Sequence, residues 1–150
     1  MQQQQEPPML IYPSGQFSIS ITWMDYELLS PGRWLNGTIM EFYGLWLRDR
    51  LGKTLRDRVS ILSPFVYTQI CQQRWDILHR STGRIDLFNM PALLLPICTR
   101  KHWLLAIVSH PGMSQGKSSS IFIADSTKHL VPGYKVEVDF NEIFFHANMF

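Results

Sequence analysis

The sequence predicts a small α+β protein, and two patterns carry that expectation. Between residues 92 and 127, three short apolar runs rich in Leu, Ile, Val and Phe are separated by polar or turn residues. Such runs are typical of adjacent buried strands. Upstream of them, apolar residues recur at helical spacing behind side chains that favour helix starts. Helices followed by a compact group of strands indicate the α+β class.

Composition narrows the possible functions. The 150 residues suit one domain with its own core, and 45% of them are hydrophobic. A formal net charge of +2 is too close to neutral to indicate a nucleic-acid partner. No apolar run approaches membrane-spanning length, so no membrane partner is expected. Two cysteines, Cys71 and Cys98, and no secretory segment indicate an intracellular protein, in nucleus or cytoplasm, with reduced thiols. No cofactor is predicted.

The first third of the chain predicts a leader, a strand and a short helix. Residues 1–15 are rich in Gln and Pro and are expected to form a flexible leader. Strict alternation over residues 17–22 predicts a half-buried strand. Thr22 and Asp25 have the spacing of a capping box, which predicts a helix over residues 23–29.

Two longer helices are expected next. Thr38 opens a second capping-box pattern, and apolar residues at helical spacing follow it, so a core helix is predicted over about 38–51. Pro64 suits the first turn of a third helix, because a missing N–H costs nothing there. Cys71 falls on the apolar stripe of this helix, which is expected to end near residues 81–83.

A His opens the second of the three apolar runs, and an Asp closes the third. His102 begins the run 102–109, and Asp125 ends the run 120–125. If these strands are antiparallel neighbours, the start of one lies beside the end of the other, and the two side chains meet at one rim of the sheet. The alternative is structural, since an Asp after a strand commonly caps a turn and a His at a strand start is commonly a satisfied structural residue.

Three motifs in order resemble the SUMO-specific and related ubiquitin-like-protein proteases. The His-Trp strand, the loop and the strand ending in Asp-Ser resemble the core of that family. Residues 31–43 read Pro-Gly-Arg-Trp-Leu-Asn-Gly-Thr-Ile-Met-Glu-Phe-Tyr and are similar to its Arg-Trp-Leu-Asn-Asp-x-Ile-x-x-Phe-Tyr segment. Residues 61–67 are similar to its Ser-x-Phe-x-Tyr helix start. Gly37 departs from the pattern, because the family has Asp there.

The resemblance implies a papain-like cysteine-peptidase fold of the adenain and SUMO-protease type, truncated at the C-terminus. Residues 16–127 would be a partial protease domain, between the leader 1–15 and a divergent tail, 128–150. Such an enzyme cleaves SUMO or another ubiquitin-like protein after a Gly-Gly tail, so these proteins and their conjugates are the implied partners.

The resemblance also implies roles for four residues. The family's chain order is His, Asp, Gln, Cys, which makes His102 the base and later the acid, and Asp125 the group that orients its ring. Trp34 and Trp103 would be substrate-binding residues that wall a channel too narrow for any residue but glycine. No Cys or Gln follows Asp125 in this sequence, so we expect the chain by itself to be inactive.

Neither cysteine is expected to act as the nucleophile. Cys98 ends a strand and Cys71 lies on a helical stripe, so both are expected to be buried. Cys98 and His102 lack further ligands for a metal site, and no metal is predicted. Two alternatives stay open: a catalytically inactive module that binds a ubiquitin-like protein through Trp34 and Trp103, and a structural domain that keeps the resemblance only as a relic.

Overall fold

The computed structural model describes residues 7–14, 18–82, 86–99, 101–112 and 118–126, with the side chains at 79, 81 and 82 excepted. The elements in chain order are β1 (Leu10–Tyr12), β2 (Ile19–Ile21), α1 (Trp23–Glu27), α2 (Gly37–Arg50), α3 (Lys53–Arg56), β3 (Val59–Ile61), α4 (Phe65–Cys71), α5 (Trp75–Thr82), β4 (Ala92–Thr99), β5 (His102–Ser109) and β6 (Ser120–Ala124). The stretch 128–150, predicted to be a divergent tail, lies outside the described residues, as does Phe17 of the first predicted strand.

The three predicted strands are confirmed and form one sheet with β3, in the order β3-β4-β5-β6. β4 and β5 are antiparallel along their whole length, from the Ala92–Ser109 pair to the Thr99–His102 pair. β5 and β6 are also antiparallel. β3 runs parallel to β4, and the sequence did not predict it because three residues are too few for alternation to show.

The two faces of this sheet differ in burial. One face packs against α4, where Val66 and Ile70 are buried. The buried strand residues on this face are Leu93, Leu95, Ile97, Leu104, Ala106 and Val108. On the other face α2 covers the β3 side, but Phe122 of β6 is 62% exposed. The core therefore lies on one side of the sheet, and the opposite side is only partly covered within the described part of the chain.

The capping box predicted for α1 is confirmed. The Thr22 hydroxyl accepts the backbone N–H of Asp25, whose carboxylate accepts the backbone N–H of Thr22. The cap predicted for α2 is wrong, because Asn36 rather than Thr38 accepts the N–H of Ile39, at 3.0 Å. Asn36 has the extended backbone of a cap and a side chain already oriented by Asp25, so the helix begins at Gly37.

The expectation that α2 is a core helix is only partly correct. Ile39 is its buried residue, whereas Tyr43 is 51% exposed. Tyr43 stacks on Trp46 with ring centroids 5.8 Å apart, and the Arg50 guanidinium lies 4.1 Å from the Trp46 ring. Of the predicted stripe, Tyr43 and Leu47 face the partly covered side of the sheet, which leaves Tyr43 about half exposed.

The third predicted helix is divided into α4 and α5. Gln73 between them has a φ of 55°, a left-handed conformation that ends α4. Cys71 is exposed, so the expectation that it lies on a buried stripe is wrong. Val66 and Ile70, four positions apart in the sequence, occupy that stripe instead.

Residues 10–12 belong to the segment expected to be a flexible leader, yet they form a strand. β1 pairs antiparallel with β2, from Leu10 opposite Ile21 to Tyr12 opposite Ile19. The Tyr12 hydroxyl donates to Asp49 of α2 at 2.7 Å, which anchors the strand. The Gln- and Pro-rich composition around so short a strand concealed it. No helix in the described ranges is both long and apolar enough to cross a bilayer.

Candidate active site

His102 and Asp125 are in contact at one end of the sheet. Nε2 of His102 lies 2.6 Å from Oδ1 of Asp125. The antiparallel register sets this contact: Leu105 lies opposite Ala124, so Asp125 follows on the same side as the first residues of β5. The two side chains are only 16% and 15% exposed. The sequence predicted this meeting of the strand start and the strand end, and the structure confirms it.

The contact defines what the imidazole of His102 can do. An ionised carboxylate only accepts hydrogen bonds, so Asp125 favours the tautomer in which Nε2 carries the proton. Such a charge-assisted bond is stronger than one between neutral groups, and it fixes the orientation of the ring.

Trp103 links the sheet to the segment in front of α2. It follows His102 in β5, so the two side chains point to opposite faces of the sheet. Its indole Nε1–H donates to the carbonyl oxygen of Leu35 at 2.9 Å. Trp34, the residue before Leu35, is 64% exposed, and core packing therefore does not explain it.

An open apolar cavity of about 620 Å³ lies beside Trp103. Met40, Tyr43 and Leu47 of α2 line one side of it, and the partly covered face of the sheet lines the other. Gly44 allows this approach, since a Cβ there would lie 3.2 Å from Cγ2 of Ile61. Asp125 and Ser126 are among the lining residues, so the cavity extends to the end of β6 that carries the site.

Cys98 does not lie with His102. Cys98 pairs with Trp103 across the hairpin while Thr99 pairs with His102, so Cys98 and His102 point to opposite faces of the sheet. Cys98 is exposed, and the prediction that it is buried is wrong because it lies on the partly covered face. The desolvation that does remain there raises the pKa of the Cys98 thiol, which favours the unreactive thiol over the thiolate.

Metal binding finds no support at these positions. Within the described ranges, no three His, Cys, Asp or Glu side chains converge in a way that could hold an ion.

The sequence did not predict the hydrogen bonds that the Asn36 side chain makes next to the Trp34 segment. Nδ2 of Asn36 donates to Oδ1 of Asp25 at 2.6 Å. Burial raises the pKa of Asp25, but hydrogen bonds from the Thr22 backbone, the Asn36 amide and the Thr22 hydroxyl outweigh it, so this pKa lies below its ordinary value. The capping pattern identified Asp25, but no spacing rule links it to a residue 11 positions away.

Gly37 begins α2 beneath an aromatic ring. A Cβ at this position would lie 2.9 Å from Cζ of Phe65. Any side chain here would displace the ring, which is itself half-exposed. The surface therefore presents Phe65 at the place where the resemblance leads one to expect a carboxylate.

The chain is similar to known proteins. The family described as "Ulp1 protease family, C-terminal catalytic domain" matches residues 33–147. The chain is 28% identical over 116 residues to the probable ubiquitin-like-specific protease 2A of Arabidopsis thaliana, covering 69% of this chain and 15% of that protein. It is 34% identical over 111 residues to the ubiquitin-like-specific protease 2 of Schizosaccharomyces pombe, covering 67% of this chain and 17% of that protein.

A solved structure supports the fold. The crystal structure of a de-sumoylating protease superposes with a TM-score of 0.69 at 22% sequence identity, covering 85% of this chain and 51% of that one. The predicted α+β, papain-like fold of the SUMO-protease type is therefore confirmed. The chain spans about half of that solved structure and about a sixth of the curated relatives named above. With well over half of its residues matched, the chain belongs to the Ulp1 protease family.

Proposed function

We propose that this chain carries the His–Asp pair and the substrate channel of a cysteine-type peptidase. The substrate is SUMO or another ubiquitin-like protein, cleaved after its Gly-Gly tail. The contact of 2.6 Å between His102 and Asp125 is the observation that carries this proposal, because it supplies an oriented imidazole in a chain of this family. The relatives are named as proteases of ubiquitin-like proteins, which supports the substrate class. The intracellular setting, nucleus or cytoplasm, stays a prediction.

We assign the roles of the pair from this contact, which orients the imidazole through Nε2. The imidazole takes the thiol proton as the sulfur attacks the carbonyl carbon of the last glycine, and gives it to the departing amine. Water then hydrolyses the resulting thioester and regenerates the thiol. Asp125 holds the ring in this orientation throughout. Cys98 faces away from His102, so we assign the thiol to the remainder of the catalytic domain, of which this chain spans about half.

Trp34 and Trp103 fit the role of channel walls. Trp34 is largely exposed, which makes it available to a partner. The Trp103 indole donates to the carbonyl of Leu35, the residue after Trp34, which supports a channel formed by the two side chains. A tail of two glycines has no side chains, so it passes between aromatic walls that exclude longer residues. Steric selection of this kind supports a Gly-Gly terminus as the ligand.

The first experiment is the intact mass of the endogenous protein. A species heavier than 17.5 kDa that contains these peptides is the expected enzyme. In that species, His102→Ala and Asp125→Ala should each lower kcat for a SUMO precursor about 10²–10⁴-fold. His110→Ala is the matched control and should leave kcat unchanged, because the His110 ring contacts the neighbouring Ser109 hydroxyl, 2.8 Å from its Nδ1, and is not part of the His102–Asp125 pair. Full activity in His102→Ala would contradict the proposal.

A second candidate is a binding module without hydrolysis, favoured by the 64% exposure of Trp34. A mass of 17.5 kDa would favour it, since no Cys follows Asp125 in this sequence. Calorimetric titration of the chain with SUMO and with ubiquitin, each with and without its last two glycines, tests the channel in both cases. Binding that needs the glycines supports the channel, and equal or absent binding contradicts it.

A further inference from the structure

The segment that carries Trp34 has no regular secondary structure, yet hydrogen bonds hold it on both sides. Residues 33–36 run between the turn after α1 and the start of α2. The Leu35 carbonyl accepts the indole N–H of Trp103 at 2.9 Å. Asn36 makes two bonds through its side chain, donating to Asp25 at 2.6 Å and accepting from the Ile39 N–H at 3.0 Å.

Both carboxylate oxygens of Asp25 take part in this network. Oδ2 accepts the backbone N–H of Thr22 at 2.9 Å and its hydroxyl at 2.8 Å. Oδ1 accepts the Asn36 amide. Because a carboxylate only accepts, the NH₂ group of Asn36 has to face Asp25, and its carbonyl oxygen then faces Ile39. The cap of α1 therefore fixes the orientation of the cap of α2.

Packing cannot replace these bonds. Trp34 and Leu35 are both exposed, so little apolar burial holds the segment in place. The direction of the Leu35 carbonyl, next to the Asn36 peptide, depends on how Asn36 is held. A charge-assisted hydrogen bond as short as 2.6 Å is the strong kind that can set such an orientation.

We propose that Asp25 and Asn36 are positioning residues for the Trp34–Trp103 channel. Through Asn36 they aim the Leu35 carbonyl at the Trp103 indole and so set the spacing of the two walls. This inference rests on the proposed function for the identity of the channel. It predicts an effect on capture of the Gly-Gly tail, because the bonds end on Trp103, whose side chain points away from His102 across the sheet.

The decisive variant is Asn36→Ser in the full 150-residue chain. Serine caps a helix as well as asparagine does, but its side chain is too short to reach Asp25, so only the link is cut. The expected result is a cooperative thermal transition, a shifted Trp103 indole N–H signal in ¹H–¹⁵N spectra, and affinity for Gly-Gly-ended SUMO reduced about threefold to tenfold. An unchanged indole signal would overturn the proposal.

Exchanging the carboxylate of Asp25 with the amide of Asn36 tests whether the bond can be restored. Asn36→Asp places two carboxylates in contact and should shift the indole signal further. The double variant Asp25→Asn with Asn36→Asp restores the bond with donor and acceptor exchanged, since the new amide donates to the new carboxylate and still accepts from Thr22. Recovery of the wild-type indole signal and affinity is expected. A double variant whose indole signal and affinity remain those of Asn36→Asp would overturn the proposal.

Trp103→Phe separates positioning from general destabilisation. It removes the N–H donor and keeps an aromatic wall, so Asn36→Ser in this background should cause little further loss of affinity. Additive losses would overturn the proposal. The indole signal needs no partner, so a wild-type chain that fails to bind Gly-Gly-ended SUMO contradicts the proposed function, while the spectra still decide the role of Asp25 and Asn36.

Discussion

His102 and Asp125 are 23 positions apart in the chain, yet their side-chain atoms Nε2 and Oδ1 approach to 2.6 Å. His102 is the first residue of β5, and Asp125 follows the last residue of β6. The pair therefore depends on the register of two antiparallel strands. A slip of one residue would turn the carboxylate to the opposite face of the sheet, and the imidazole would lose its orienting group.

Removing that carboxylate should change the imidazole directly. Asp125→Ala should abolish the strongly downfield Nε2–H signal of His102 and speed exchange of this proton with water, because the charge-assisted bond that protects it is gone. ¹H–¹⁵N spectra optimised for imidazole nitrogens measure both effects. Ser126→Ala, at an exposed neighbour, is the control and should leave the signal in place. If Asp125→Ala changed neither the shift nor the exchange rate of the His102 Nε2–H signal, the contact would not define the tautomer.

Trp34→Ala should weaken binding without weakening the fold. Trp34 is largely exposed, so the free energy of unfolding should change by no more than about 0.5 kcal/mol. Loss of a channel wall should cost about 2 kcal/mol or more in binding to a Gly-Gly-ended ubiquitin-like protein. Thermal denaturation and calorimetry measure the two quantities. Trp23→Ala removes another exposed indole, which packs edge-on against Tyr26, and should leave binding unchanged. Equal losses for both tryptophans would argue against a specific channel.

Stability should depend on which face of the sheet is altered. Ile97 is fully buried on the core face, so Ile97→Ala should lower the free energy of unfolding by about 2–5 kcal/mol. Phe122 lies on the partly covered face, and Phe122→Ala should cost less than about 1 kcal/mol. Urea unfolding of the two variants gives the comparison. A larger loss for Phe122→Ala would mean that this face is covered in solution.

The Tyr12–Asp49 bond should give a stability difference that depends on pH. The Tyr12 hydroxyl, followed by nearby Arg charges, holds the pKa of Asp49 below its ordinary value of 3.8 despite some desolvation. The same bond to Asp49 raises the pKa of Tyr12 above 10.0. The contribution of Asp49 is present above pH 3.8 and is lost as pH falls through its lowered pKa. That of Tyr12 is present below pH 10 and is lost as pH rises towards its raised pKa.

Tyr12→Phe tests the loss of stability at both acid and alkaline pH. The urea midpoint of the wild type should exceed that of the variant by a constant amount between about pH 4 and pH 10, and the difference should disappear on either side. Asp49→Asn removes the ionised partner, so the fall in the urea midpoint that this bond causes at acid pH should also be absent in that variant. A difference between wild type and Tyr12→Phe that persists at pH 2 would show that the hydroxyl acts without the charge of Asp49.

The local sequence pattern was sufficient to predict the central strands and the cap of α1. Short apolar runs separated by turn residues predicted β4, β5 and β6, and an antiparallel arrangement of the last two, taken as a condition, predicted the meeting of His102 and Asp125. Thr22 and Asp25 are three positions apart, so their capping box could be recognised without knowledge of the rest of the chain. These features depend on interactions within one element or between neighbouring strands, which periodicity reports.

Burial and long-range hydrogen bonds could not be predicted in that way. Cys71 and Cys98 lie in apolar surroundings in the sequence, but both are exposed in the structure, because burial depends on which elements pack over a residue and not on its neighbours in the sequence. Gln73 divides the predicted helix, and its left-handed φ of 55° could not be predicted, because apolar spacing does not report the backbone conformation of a single residue.

The sequence by itself determined the class of the fold, the central strands, the cap of α1 and the pairing of His102 with Asp125, because these follow from local periodicity and strand order. Only the tertiary structure decided that Asn36 bonds to Asp25 and that the Trp103 indole bonds to the Leu35 carbonyl. Those contacts join positions that no repeat or spacing relates. They exist because the path of the whole chain brings the start of α2 against α1 and against the first residues of β5.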